Sequence, residues 1–172
     1  LIGLNSAVVF AFFNDSIVSS NRFSAASDYF VHPEDFIKIN EVYPYAFADS
    51  KEQIELFNPT TVSVSLSNCS LLDGADHLIQ ISSFTIPANS YLVLYLPRSI
   101  LNNSGDELRF ICDNQVKDRV AWGNWDDGNL SDNAPNPGQE ETIGRYPNGK
   151  DTGVDSSDFV KMTPNLGTSN HL

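Results

Sequence analysis

The chain has 172 residues, 41% of them hydrophobic and 19% charged, with 22 Asp and Glu against 10 Lys and Arg for a formal net charge of −12. That length suits one domain of ordinary size plus an extension, with enough apolar residues to bury a core. So negative a surface repels nucleic-acid phosphates and anionic lipid, which makes both poor partners, and nucleic acid is not expected as one; no stretch reaches the roughly 18–20 apolar residues of a membrane-spanning helix.

The first element is LIGLNSAVVFAFF, in which ten of thirteen residues are apolar. As a helix it would reach only about 20 Å, short of the roughly 30 Å hydrocarbon core of a bilayer. As a strand it would reach about 43 Å. Ile2, Leu4, Val8, Phe10 and Phe12 share one face, broken only by Ser6, while Gly3, Asn5, Ala7 and Ala11 make the other face slimmer. Such a segment suits insertion into a groove between the sheet edges of a neighbouring copy. Repeated head-to-tail, that contact makes an open homopolymer rather than a closed dimer. The same residues, with Ala11 ahead of Phe12, also fit the end of a signal-peptide apolar region and its cleavage site. Export through a signal peptide to an extracellular or cell-surface location is expected on that ground, and the assembly reading requires residues 1–13 to be kept.

A Ser- and Asn-rich stretch, NDSIVSSNRFSAASDYF, follows, and VHPED reads as a junction. The expected division is an assembly segment and linker over 1–35 and one folded domain over 36–172. From residue 36 the pattern becomes short strands between turn signals: FIKINEVY, QIELFNPT, VSVSLS, CSLLDG, HLIQISSFTI, YLVLYLP, ELRFICD, VKDRVAWG and TIGRYPNGKD. Alternation in VSVSLS predicts a half-buried strand with Val62, Val64 and Leu66 inward, and YLVLYLP, apolar on both faces, predicts a central strand. Val116, Val120 and Trp122 share one predicted face. The expected core is Val62, Val64, Leu66, Leu94, Leu108, Phe110, Val120 and Trp122, with Ile39, Val42, Ile54 and Leu56 also packing inward. Gly105 in NNSGD supplies the backbone freedom of a tight reversal. Residues 123–141 read as a long surface loop and PNLGTSNHL as a polar tail. No window shows sustained helical periodicity, so the chain reads as an all-β antiparallel sandwich or barrel.

Chemistry-bearing residues are sparse. His32, His77 and His171 are isolated, and no zinc, phosphate-loop or nucleophile-elbow pattern occurs. Glu41 and Glu55 invite a paired-carboxylate reading, against which stand solvated strand faces or hydrogen bonds to loop backbone. Asp73 and Asp76 in DGAD, with Asp126, Asp127 and Asp132 in DDGNLSDN, cluster oxygen ligands for calcium but lack EF-hand spacing; no cofactor is expected otherwise. Trp125 is either an exposed sugar or protein contact or packing for its own loop. Asn14, Asn68, Asn102 and Asn129 stand in glycosylation triplets. Cys69 and Cys112 are expected to form one disulfide, the alternative being two buried thiols.

Over residues 36–170 the motifs INEVYP, QIELFNPT, VSLSNCSLLDG, FTIPANSYLVL, LNNSGDELRF, VKDRVAWG, TIGRYPNG and TPNLGTSN resemble, in order and spacing, the lamin tail domain. That resemblance implies an immunoglobulin-like antiparallel sandwich acting as a non-catalytic interaction or structural module. Cys69 stands where the family usually has Trp, which leaves room for the disulfide. The head is similar to TasA- and camelysin-type exported fibre proteins through AFFNDSIVSSNRFSAAS, with Asn14, Asp15, Asn21, Phe23 and Ala25 in their pattern, although the G-T-L-D-L that usually follows is absent. It implies assembly by passing an N-terminal strand to a neighbour. The resulting expectation is a structural subunit of an extracellular filament or surface layer. Its rivals are a monomeric secreted module binding carbohydrate, calcium or protein, and a hydrolase whose site follows no known pattern.

Overall fold

The computed structural model describes residues 32–45, 51–97 and 99–172. Ile2, Leu4, Val8, Phe10, Phe12 and Asn14 lie outside them. Among the described residues a short 3-10 turn (Pro33–Phe36) leads into eleven strands: β1 (Lys38–Tyr43), β2 (Gln53–Asn58), β3 (Val64–Ser65), β4 (Cys69–Asp73), β5 (Leu78–Gln80), β6 (Thr85–Ile86), β7 (Ser90–Tyr95), β8 (Gly105–Cys112), β9 (Gln115–Gly123), β10 (Thr142–Arg145) and β11 (Phe159–Met162). One helical turn, α1 (Asp155–Asp158), precedes β11.

The strands form a five-stranded sheet in the order β11-β10-β1-β2-β7, a four-stranded sheet β5-β4-β8-β9 and a two-stranded ribbon β3-β6. Every strand pairing is antiparallel. Ile39, Val42, Ile54 and Leu56 of the first sheet and Leu71, Leu108, Phe110, Val120 and Trp122 of the second are fully buried in one core. The chain is therefore an antiparallel β-sandwich, one of the two architectures its strand pattern left open, and of the immunoglobulin-like kind that the resemblance implied.

Two irregularities decide which side chains reach that core. The β1–β2 register slips between Ile39 and Glu41. Asn40 takes up the extra step, so Ile39 and Val42, three residues apart, both point inward. In β9, Phe110 lies opposite Asp118 and Ile111 opposite Val116, leaving Lys117 as the extra residue. The bulge reverses the faces, so Val116 is 54% exposed while Asp118, Val120 and Trp122 point inward. Val116 thus does not share the face of Val120 and Trp122. Val62, expected in the core, is 52% exposed. The strand begins only at Val64, because the Val62 carbonyl is held in a turn by the Asn58 and Thr60 side chains.

β7 is not central. Among the described residues it pairs with β2 alone and forms one margin of its sheet, with Tyr95 66% exposed. HLIQISSFTI splits into β5 and β6, and β11 completes the first sheet with a strand that the sequence pattern did not signal. At Gly105, φ is +150° and an added Cβ would lie 2.5 Å from the Asn124 backbone nitrogen, so the reversal ahead of β8 needs glycine.

Candidate functional site

The two long margins of the sandwich are finished differently. Along β9, Ala134 donates to the Ala121 carbonyl and accepts from the Gly123 N–H, and the Asp155 carboxylate accepts the Ala121 N–H. Beneath this margin Arg145 is buried, 2.9 Å from Asp118 and 3.5 Å from Asp158, with its guanidinium over the Phe159 ring. Its Nε also donates to the Ile39 carbonyl, and Asp118 accepts the Ile39 N–H. Burial pushes the carboxyls of Asp118 and Asp155 up, Asp155 to about 6, with Arg145 opposing both shifts. Backbone and ion pairs close this side.

The opposite margin is finished differently: among the described residues β5 pairs only with β4, and β7 only with β2. Between the two strands runs a cavity of about 620 Å³, lined by Leu78, Phe84, Val93, Tyr95, Pro97 and Ile100. Leu78 and Phe84 are exposed there, and Ile100, packed against the core, joins the groove to it. Its floor is apolar and its walls are strand edges, a form suited to an extended apolar peptide.

The outer face of the five-stranded sheet is polar and covered. Glu41 and Glu55 lie directly opposite each other on β1 and β2, both fully buried. The Asn165 and Gly167 N–H groups donate to Glu41 and Glu55 respectively, and Asn40 donates to Glu55 at 2.7 Å. Asn170, also buried, donates to the carbonyls of Asn40 and Arg145. Desolvation raises both carboxyls, Glu55 to about 7, against the hydrogen bonds that lower them. Of the readings open from the sequence, the solvated-face one is corrected: these carboxylates bond loop backbone and hold down the tail.

The remaining candidates are dispersed. Asp73 is buried and accepts the Ala75 and His77 N–H groups, with His77 Nδ1 2.7 Å away. Asp76 pairs with Arg109, Asp126 and Asp127 accept the N–H groups of Gly128 and Asn129, and Asp132 accepts from the Asn129 amide. Their oxygens serve turns and ion pairs, and among the described residues no group of three or more His, Cys, Asp or Glu is placed to hold a metal ion. The Trp125 ring lies against Gly74, where an added Cβ would come within 2.4 Å of it. Asn68, Asn102 and Asn129 are exposed, with the Asn102 amide donating to Asp106. Cys69 and Cys112 face each other across β4 and β8 and are joined by a disulfide. Sequence reasoning assigned no role to Arg145, Asp118, Asn40 or Asn170. Parity offered a signal for the first two: Arg145 is two residues from Ile143, and Asp118 two from Val120, so both fall on core-facing positions.

The lamin tail domain model matches residues 31–134, more than half of the 172-residue chain. The chain belongs to the lamin tail domain family. That family is one of immunoglobulin-like modules, in keeping with the two-sheet sandwich. In this lamin tail domain β10, α1 and β11 lie beyond the matched segment yet complete the first sheet and carry Arg145. No curated protein matches the chain, and the likeness of the head to TasA-type proteins has no counterpart in the family match. Among the described residues no helix is long and apolar enough to cross a membrane.

Proposed function

We propose that this lamin tail domain is a non-enzymatic structural subunit of an extracellular filament or cell-surface layer, exported through a signal peptide, and that residues 1–13 join each subunit to the next as a donor strand. The observation that carries this reading is the apolar groove between β5 and β7. An apolar cavity bordered by two strand edges that no other described strand pairs with suits an extended apolar occupant, and the first thirteen residues are uncharged with an alternating bulky face. Calcium and surface glycans are not needed as ligands. The acidic loops spend their carboxylates on backbone, and Trp125 packs on Gly74.

The test is deletion of residues 1–13. The folded unit starts at Pro33 and has its own core, so the shortened chain is expected to fold and to remain monomeric by light scattering, whereas the full chain forms filaments visible by electron microscopy. Filaments from the shortened chain would overturn the reading.

A further inference from the structure

Among the described residues the two main sheets have four strand margins that compete to receive an incoming strand, and they are not equivalent. β9 is already occupied by Ala134 and Asp155. β5 offers three residues, too few to fix a register. β11 offers four and carries Lys161, a charge that discourages edge pairing. β7 offers six residues, SYLVLY, with neither charge nor proline. An uncharged edge that long is a template for another strand, and natural edges are normally blunted against it.

The ladder also shows which groups are free to pair. The Leu96 N–H donates to the Glu52 carbonyl at 2.9 Å. In an antiparallel pair such bonds recur at alternate residues, so Leu92 and Leu94 direct their backbone towards β2. Tyr91, Val93 and Tyr95 then direct their N–H and C=O groups away from β2, and Val93 and Tyr95 line the groove. A strand added there continues the pleat, with every second side chain entering the space between the sheets beside Leu94 and Ile100. The longest uninterrupted bulky run in the head is Val8, Phe10 and Phe12, which follows the break at Ser6.

Resting on the donor-strand reading above, we infer that the acceptor is the β7 edge of a second copy of this chain, where residues 7–13 pair with Tyr91, Val93 and Tyr95 and insert Val8, Phe10 and Phe12 between the sheets. Ala7, Val9, Ala11 and Phe13 then lie outward, on the side of the exposed Tyr95. The roughly 19 residues between this strand and Pro33 can span up to about 60 Å, enough to reach a neighbouring domain.

A complementation experiment separates this acceptor from the donor reading itself. Val93→Pro removes an N–H that faces the groove and spares the β2 ladder. Phe84→Asp, at an exposed position, charges the groove floor without touching the buried core. Either full-length variant keeps its head but has a blocked groove, whereas the chain lacking residues 1–13 has a groove but no head. Each alone is expected to be monomeric, with an unfolding temperature close to that of the same chain unmutated. Mixed one to one, full-length Val93→Pro and the headless chain should form a heterodimer and stop there. Filaments from both full-length variants, or no heterodimer in the mixture, would overturn the β7 assignment while leaving donor-strand assembly open. Filaments from the headless chain alone would overturn the donor reading. A full-length wild-type chain that stayed monomeric would show the head serving its own domain, and would overturn both.

Discussion

Burial drives the Glu55 carboxyl from an ordinary value of 4.5 up to about 7, because desolvation outweighs the hydrogen bonds from Asn40 and Gly167. A carboxyl raised in the folded state binds its proton more tightly there than in the unfolded chain. Its contribution to stability is therefore complete below pH 4.5 and is lost as the pH rises towards 7, a loss of about 3 kcal/mol at most. Glu41, facing it across the strands, is shifted in the same direction, as is Asp155. Chemical denaturation should show stability falling between pH 4.5 and 7 through these groups, with Glu55→Gln reducing the slope; an unchanged slope in the variant would place the titration elsewhere. Removing Arg145 takes the buried counter-charge from Asp118 and leaves Asp158 with Lys150 at 3.7 Å and the Thr152 hydrogen bonds, so Arg145→Ala is expected to cost about 3 kcal/mol in the same measurement. A loss below about 1 kcal/mol would mean that water reaches the two carboxylates.

At the scale of elements, the disulfide ties β4 to β8 across a separation of 43 residues. On the chain-entropy model a closure of that length contributes about 4 kcal/mol by restricting the unfolded chain. Replacing both cysteines with alanine should lower unfolding stability by roughly that amount while the far-ultraviolet circular dichroism stays that of a β-protein. Strand existence was legible in the sequence because alternation and turn residues are local signals, as in IELFNPT and ELRFICD. Strand position was not. YLVLYLP reads as central because both its faces are apolar, yet it is a margin whose outer side chains Val93 and Tyr95 border the groove. Val116 was misplaced because a bulge is an event between strands, and nothing in VKDRVAWG marks Lys117 as the extra residue. The tail shows a different limit. PNLGTSNHL is polar, but its partners Glu41 and Glu55 lie more than a hundred residues away in the chain, so only the fold reveals that it is held down.

For the whole molecule, each subunit carries a formal charge of −12, so association must overcome repulsion between like-charged domains. Exposed charges are screened within about 10 Å at 0.1 M salt, and raising ionic strength should shorten the lag before filaments appear. Against that repulsion stand the inserted Val8, Phe10 and Phe12, which at about 2 kcal/mol each contribute up to roughly 6 kcal/mol before ordering costs. A donor strand entering a groove elsewhere on the next copy is a heterologous contact that does not close on itself. Such a polymer has two unlike ends, one presenting an empty groove and the other a spare head. A headless chain can receive a head but cannot pass one on, so it stops growth at one end only. Mixed into full-length protein at one part in ten, it should cut filaments to about ten subunits on average, with length falling in proportion to dose. Sedimentation or electron-microscopic length distributions measure this directly. A fixed assembly size that ignores the dose of headless chain would mean a closed ring or dimer, and head-to-tail donor-strand growth would have to be abandoned.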